Sequence, residues 1–234
     1  MYKLIYLARR NPTVNREDWP KTWRSHATFA NQFAFVANDI TYSCYCNRID
    51  RPVLHGRPVE LPGVSQDHDG VALGMSGTVE TLQGGGFSKE ERALIDKDEL
   101  RVFDMLTPNF SFYCTETVLK DGKFGEYGVF RFLARKPALA REAFEMRLNG
   151  KHADIARNVI EGLGSVTRYA INRLIHDPLP LFPFDAISDC WFASQDDAVR
   201  ALLDPTLDDD LEQFCDIGRS VTMLTHAFRR RDQD

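Results

Sequence analysis

His26 and His152 stand at matching places in two similar stretches of the chain, each in the later part of a segment that reads as a helix. Imidazole is the side chain whose ordinary pKa lets it give or take a proton near neutrality, so a histidine facing a pocket can serve as general acid and base. The plainer reading is a helix histidine bonded to a neighbouring carbonyl, tying helix to sheet. Trp23 lies one turn before His26 and would wall an apolar pocket; the matching place before His152 holds Leu148. Asn47-Arg48 and Asn172-Arg173 each close a strand, where they would bind a carboxylate-like substituent or simply satisfy turn backbone. Asp69 and Asp185 open later strands and would cap a loop or orient a histidine. Tyr6, Tyr42 and Tyr113, with Tyr169 and Trp191, are aromatic strand positions that serve either core packing or a pocket for an aromatic or lactone ligand.

Other chemistries lack their residues. Asp67-His68-Asp69 puts three metal-ligand types side by side, but adjacent side chains diverge, so no metal site is expected. No GxSxG, HExxH or GxGxxG occurs, and the glycine-rich Leu82–Phe87 stretch has no P-loop continuation and reads as a flexible loop. No cofactor is therefore expected. The five cysteines form no CxxC pair. They read as reduced structural thiols, with Cys44 and Cys46 on one strand face. Asp208–Asp210 reads as a solvated helix start and Arg229–Arg231 as a charged tail.

These residues sit on 234 positions with a net charge of -5 and 43% hydrophobic residues, enough for a substantial core. The mild acidity argues against a nucleic-acid binder. No apolar run has the roughly 20 residues a membrane span needs, and the opening apolar stretch is too short for a signal peptide. A cytoplasmic protein is expected.

The elements that must hold the candidate residues come in two similar sets. Tyr2, Arg10, Pro12, Arg16 and Glu17 recur as Tyr127, Arg135, Pro137, Arg141 and Glu142. His26-Ala27 recurs as His152-Ala153, Asn47-Arg48 as Asn172-Arg173, and Asp69 as Asp185. Asp98, Leu100 and Phe103 recur as Asp209, Leu211 and Phe214. An ordered series with length changes confined to Gly/Pro-rich loops is the signature of a repeat. Hydrophobic patterning predicts strands over 2–9, 40–49, 69–76 and 110–119, with helices over 15–37 and 88–103. The second half repeats this with strands over 126–134, 166–174, 185–193 and 220–228 and a helix over 140–163, while 208–215 lies in a helical connection. The order is β-α-β-β-α-β twice, the split βαβ of ferredoxin-like domains, with copies over 1–123 and 124–234. The first strands are apolar on both faces, so one face should meet the other copy's sheet and enclose a pocket.

The strand Tyr2–Arg10 with Asn11-Pro12, the helix carrying Trp19, Trp23 and His26, and their echo in Phe132–Pro137, Arg141–Phe144 and His152 resemble EthD-type domains of the dimeric α+β barrel superfamily. The resemblance implies an α+β chain of tandem ferredoxin-like repeats forming an intrachain barrel, a fused pseudo-dimer that could itself pair as a homodimer. The family does not fix a reaction; with no cofactor motif in the chain, the expected function is a cofactor-independent enzyme acting on a small, largely apolar or aromatic carbonyl compound by lyase, dehydratase, isomerase or monooxygenase-like chemistry. His26 and His152 would be catalytic, and Trp23, Tyr6, Tyr42, Asn47, Arg48, Tyr169 and Trp191 would bind substrate. Two alternatives stay open: a non-catalytic small-molecule-binding or accessory protein, and a haem-handling barrel protein.

Overall fold

The computed structural model describes residues 1–231; the side chains of Arg229–Arg231 lie outside the described residues, although their backbone continues the last strand. In chain order the elements are β1 (Tyr2–Ala8), α1 (Trp19–Ala30), α2 (Ala34–Asp39), β2 (Tyr42–Arg48), the two-residue strands β3 (Val53–Leu54) and β4 (Arg57–Pro58), and β5 (Gly70–Ser76). Then come α3 (Val79–Leu82), α4 (Lys89–Val102), β6 (Ser111–Lys120), β7 (Tyr127–Leu133), α5 (Arg141–Arg147) and α6 (Ala153–Leu163). β8 (Val166–Leu174), β9 (Ala186–Phe192), α7 (Gln195–Leu203), α8 (Thr206–Leu211) and β10 (Val221–Arg231) complete the chain. They form two compact units. Among the described residues, one holds Met1–Arg48, Gln66–Thr115 and 228–231; the other holds Ile49–Ser65 and Glu116–Ala227.

In the first unit the antiparallel order is β6-β1-β5-β2, which places the first strand between the fourth and the third, as in a split βαβ. The register sets two cross-strand rows on one face. Tyr45, Ala72, Tyr6 and Ser111 make one, and Ser43, Gly74, Leu4 and Tyr113 the other. Ser88 caps α4 in a capping box with Glu91. The expected helix over 15–37 is two helices. It starts only after Asp18, which tolerates Pro20 in the first turn, and it breaks where Phe33 turns extended. Phe33 and Phe35 both pack edge-on to Phe87, and burying those rings outweighs helix continuity.

Gly70 is placed by packing rather than by conformation. A Cβ there would lie 2.5 Å from the Trp23 ring and 2.7 Å from the Cys46 carbonyl oxygen. Gly70→Ala is expected to lower stability by about 1–3 kcal/mol, read as an earlier urea midpoint.

The second unit repeats the order as β10-β7-β9-β8. Its core joins Val129 and Leu133 of the sheet to Phe144, Ile160, Val199 and Leu211 of the helices. The expected helix over 140–163 is interrupted between α5 and α6, where Gly150 leaves helical geometry at φ -98 and ψ -106.

Asp69 and Asp185, matched in the sequence as loop-capping or histidine-orienting residues, occupy like positions. Asp69 accepts the Arg10 backbone N–H at 2.8 Å and its guanidinium at 2.8 Å; Asp185 accepts both from Arg135 at 3.0 Å. Both aspartates thus lock the turn after the first strand. The match of Asn47 to Asn172, however, is off by one. Asn47 pairs with Gly70, the residue after Asp69, whereas Ala186, the residue after Asp185, pairs with Arg173. A β-bulge between Val166 and Arg168 breaks the register, and a one-residue slip turns a side chain to the opposite sheet face.

Candidate active site

The two rows of the first unit's sheet are the floor of a cavity of about 150 Å³. That is the size of the apolar cavity which, in an engineered case, holds benzene. The roof comes from the helical segments: His26 and Ala30 of α1, Phe35 and Val36 of α2, and Ile95 and Glu99 of α4. Gln83, Gly84 and Phe87 close one side. They belong to the glycine-rich stretch, which is thus not merely a loop but a wall. Gly84 sits at φ +80, a left-handed geometry that favours glycine.

His26 is 6% exposed. Its Nδ1 lies 2.7 Å from Asp98 Oδ2, and Arg101 donates to Oδ1 of the same carboxylate at 2.7 Å. The hydrogen bond to His26, helped by Arg101 and opposed by burial, pulls Asp98 down to about 2. Asp98 is therefore a carboxylate at any ordinary pH, and it fixes the proton of a neutral His26 on Nδ1. The lone pair is left on Nε2 of a ring that lines the cavity. Phe103 packs edge-on against the imidazole, with ring centroids 5.4 Å apart.

Opposite stand hydroxyls. Tyr6 Oη accepts the Trp23 indole N–H at 3.1 Å, and burial holds the Tyr6 phenol well above its usual pKa, so it keeps its proton as a donor. Burial raises Tyr113 as well. Glu99 is 3% exposed and bound in place by the Thr107 backbone N–H and hydroxyl and by Arg92. Arg92 also pairs with Asp96 and lines the cavity. The arrangement is a base, weak-acid donors and a clamped ion pair around a small apolar space, suited to moving a proton at carbon beside a carbonyl.

The second unit builds the same pair. His152 Nδ1 lies 2.9 Å from Asp210 Oδ2, Phe214 packs on the ring, and Arg147 also binds Asp210. Asp210, rather than the Asp209 matched by sequence spacing, is the partner, so part of the acidic run is buried structure and not solvated surface. His152 is 1% exposed, does not line the first unit's cavity, and has its pKa lowered by burial against the pull of Asp210.

Of the candidate side chains read from sequence, His26, Tyr6 and Tyr113 border the cavity. The others do not. Trp23 is buried behind Tyr6 and supports its hydroxyl. Tyr42 is buried on β2. Asn47 lies beside Gly70, and Arg48 donates to the carbonyls of Gln66 and His68. Tyr169 is buried in the second unit's core, pushed to about 12 by burial, and Trp191 donates its indole N–H to Asp189 at 2.7 Å. Arg92, Glu99, Phe35 and the role of Asp98 escaped the sequence reading. Only the expected helix over 88–103 covered the neighbourhood of Arg92, Asp98 and Glu99; the Ser88–Glu91 capping spacing was the signal that could have fixed its start. The cavity also lies between sheet and helices of one unit, not in the expected chamber between two sheets.

Residues 136–218 match the family model of the EthD domain, a stretch that includes His152 and excludes His26. No curated protein matches the chain. Among solved structures, an anthrone oxidase-like protein is 10% identical at TM-score 0.60, over 97% of this chain and 92% of that one. A candidate monooxygenase from Fusobacterium nucleatum is 7% identical at TM-score 0.53, over 99% and 97%. A variant chlorite dismutase from Candidatus Nitrospira defluvii is 13% identical at TM-score 0.51, over 96% and 89%. These neighbours are of the dimeric α+β barrel class, and the likeness is one of fold alone. Among the described residues no helix is long and apolar enough to cross a membrane.

Proposed function

We propose that the chain is an enzyme that uses His26 as general base and acid on a small, aromatic or largely apolar carbonyl compound, without a cofactor. The observation that carries this reading is the His26–Asp98 pair bordering a cavity floored by Tyr6, Tyr45 and Tyr113. Nε2 of neutral His26 takes the proton from the carbon beside the carbonyl. The electron pair moves onto the carbonyl oxygen, where the Tyr6 or Tyr113 hydroxyl stabilises the enolate. Returning the proton to another carbon, or expelling a β-leaving group, gives an isomerase or a lyase. We further propose that the chain is a fused pair of one ancestral unit in which the first copy keeps the working cavity. The shared strand order, the Arg–Asp locks and the two His–Asp pairs support this.

Neither of two cavities, one in each unit, fits the haem alternative. The first unit's cavity is several times too small for a porphyrin, and the second unit's larger one offers no histidine or cysteine to an iron.

The test is proton exchange of 2-indanone in D₂O followed by NMR, beside a thermal-shift measurement. The chain is expected to speed exchange at least about 100-fold over buffer. Gly74→Val puts a branched side chain into the floor at a place where a Cβ meets only ordinary contacts, near 3.8 Å to Leu4. It should abolish both the exchange and the thermal shift while the protein stays folded. A thermal shift without exchange would make the protein a binder and remove the catalytic reading.

A further inference from the structure

We propose that the second unit holds a separate site for a small carboxylate with an apolar body, centred on Arg131 and held shut by Asp208. A cavity of about 330 Å³ is walled there by Leu61–Val64, Leu202, Leu211 and Ile217, with Ser220 and Thr222 at its side and Arg131, Asp208 and the exposed Glu212 on its border. That volume is within the range of small-molecule sites. Its apolar walls suit a hydrocarbon or aromatic body, and Arg131, the one cation on its border among the described residues, sets the charge of the head group.

Arg131 sits on β7 at the position that Tyr6 holds on β1, and it is 4% exposed. The Nε–H and Nη2–H of a guanidinium form one edge that fits both oxygens of a carboxylate. Here the edge is half used. Nε donates to Asp208 Oδ1 at 2.8 Å, while Nη2 is buried with no hydrogen-bond partner. A buried N–H left unmade is costly, and a carboxylate taking both donors removes that cost. Asp208 is the movable half of the pair. Its side chain is 44% exposed on the short helix α8, so it can swing to water and leave the edge to a ligand. It acts as a built-in competitor that keeps the buried guanidinium neutralised while the site is empty.

Calorimetric titration of the full chain with hexanoate and benzoate, against hexanamide and benzamide, tests this. Asp208→Asn removes the competitor and is expected to bind the acids at least about tenfold more tightly than the wild type, with the amides at least tenfold weaker than the acids. Arg131→Met should lose acid binding, and Arg131→Lys, which keeps the charge without the two-donor edge, should weaken it. Equal or weaker acid binding by Asp208→Asn than by wild type, or no binding by Asp208→Asn at millimolar acid, overturns the proposal. So does retained binding in Arg131→Met. If Arg131→Met does not fold, the Asp208→Asn comparison decides alone. His26→Gln should leave acid binding unchanged, so the site stands or falls independently of the chemistry proposed for the first unit.

Discussion

His26→Gln is expected to retain 2-indanone binding while its exchange rate falls by about 10²–10⁴-fold, the usual contribution of a positioned acid/base group. Glutamine keeps a hydrogen-bonding head toward Asp98 and similar bulk, so the fold has little reason to change. Asp98→Asn goes further as a diagnostic. Asn in that place can present N–H to the ring and favour the tautomer with its proton on Nε2, directed away from base function. In the serine-protease triad the corresponding exchange costs about 10⁴ in kcat. Here we expect about 10²–10⁴, together with a change in the ring ¹⁵N shifts from the Nδ1–H to the Nε2–H tautomer. A variant that shows the tautomer change yet exchanges at the wild-type rate would remove His26 from the mechanism. The same exchanges at His152 and Asp210 should alter stability and not turnover, because that ring lies outside the His26 cavity and is 1% exposed.

The second large effect is on stability in acid. His68 is 4% exposed, and burial, with repulsion from Arg9 and Arg48, lowers it from the ordinary 6.5 to about 4 despite the nearby Asp67 and Asp69. Between those values the unfolded chain binds a proton that the folded chain refuses. Stability therefore rises with pH across that window, and it is lost as the pH falls from 6.5 to 4. The shift of roughly two and a half pKa units corresponds to about 3 kcal/mol. Urea midpoints measured from pH 7 to 4 should fall accordingly, and His68→Gln should flatten most of the slope. A remaining slope is expected from His152, whose lowered pKa acts in the same direction. An unchanged pH profile in His68→Gln would show that His68 titrates normally.

Much of the scaffold was legible because it rests on local rules. The first strands, the helix opening at Ser88 and the matched aspartates Asp69 and Asp185 each carry a signature in the sequence, and Phe103 and Phe214 occupy matching places against the two histidines. What failed needed knowledge of register or of long-range packing. Asn47 and Asn172 share a name and a spacing, but a bulge that leaves no clear mark in the sequence turns them to different faces. The partner of His152 slipped from Asp209 to Asp210 because three consecutive aspartates look alike until a helix selects one. The cavity walls were hidden for another reason. Arg92, Glu99 and Phe87 sit on a helix and loop that read as polar or flexible surface, yet Glu99 is buried against Thr107 and the half-buried Arg92 and Phe87 line the cavity.

The alternation along β2 has a chemical consequence for any ligand. Ser43 and Tyr45 face the cavity, so Cys44 and Cys46 project from the other side of the strand, fully enclosed, their sulfurs 3.6 Å apart. None of the five thiols borders the chamber. An enone or quinone held there would meet imidazole and phenol but no soft nucleophile, and so could be turned over without alkylating its host.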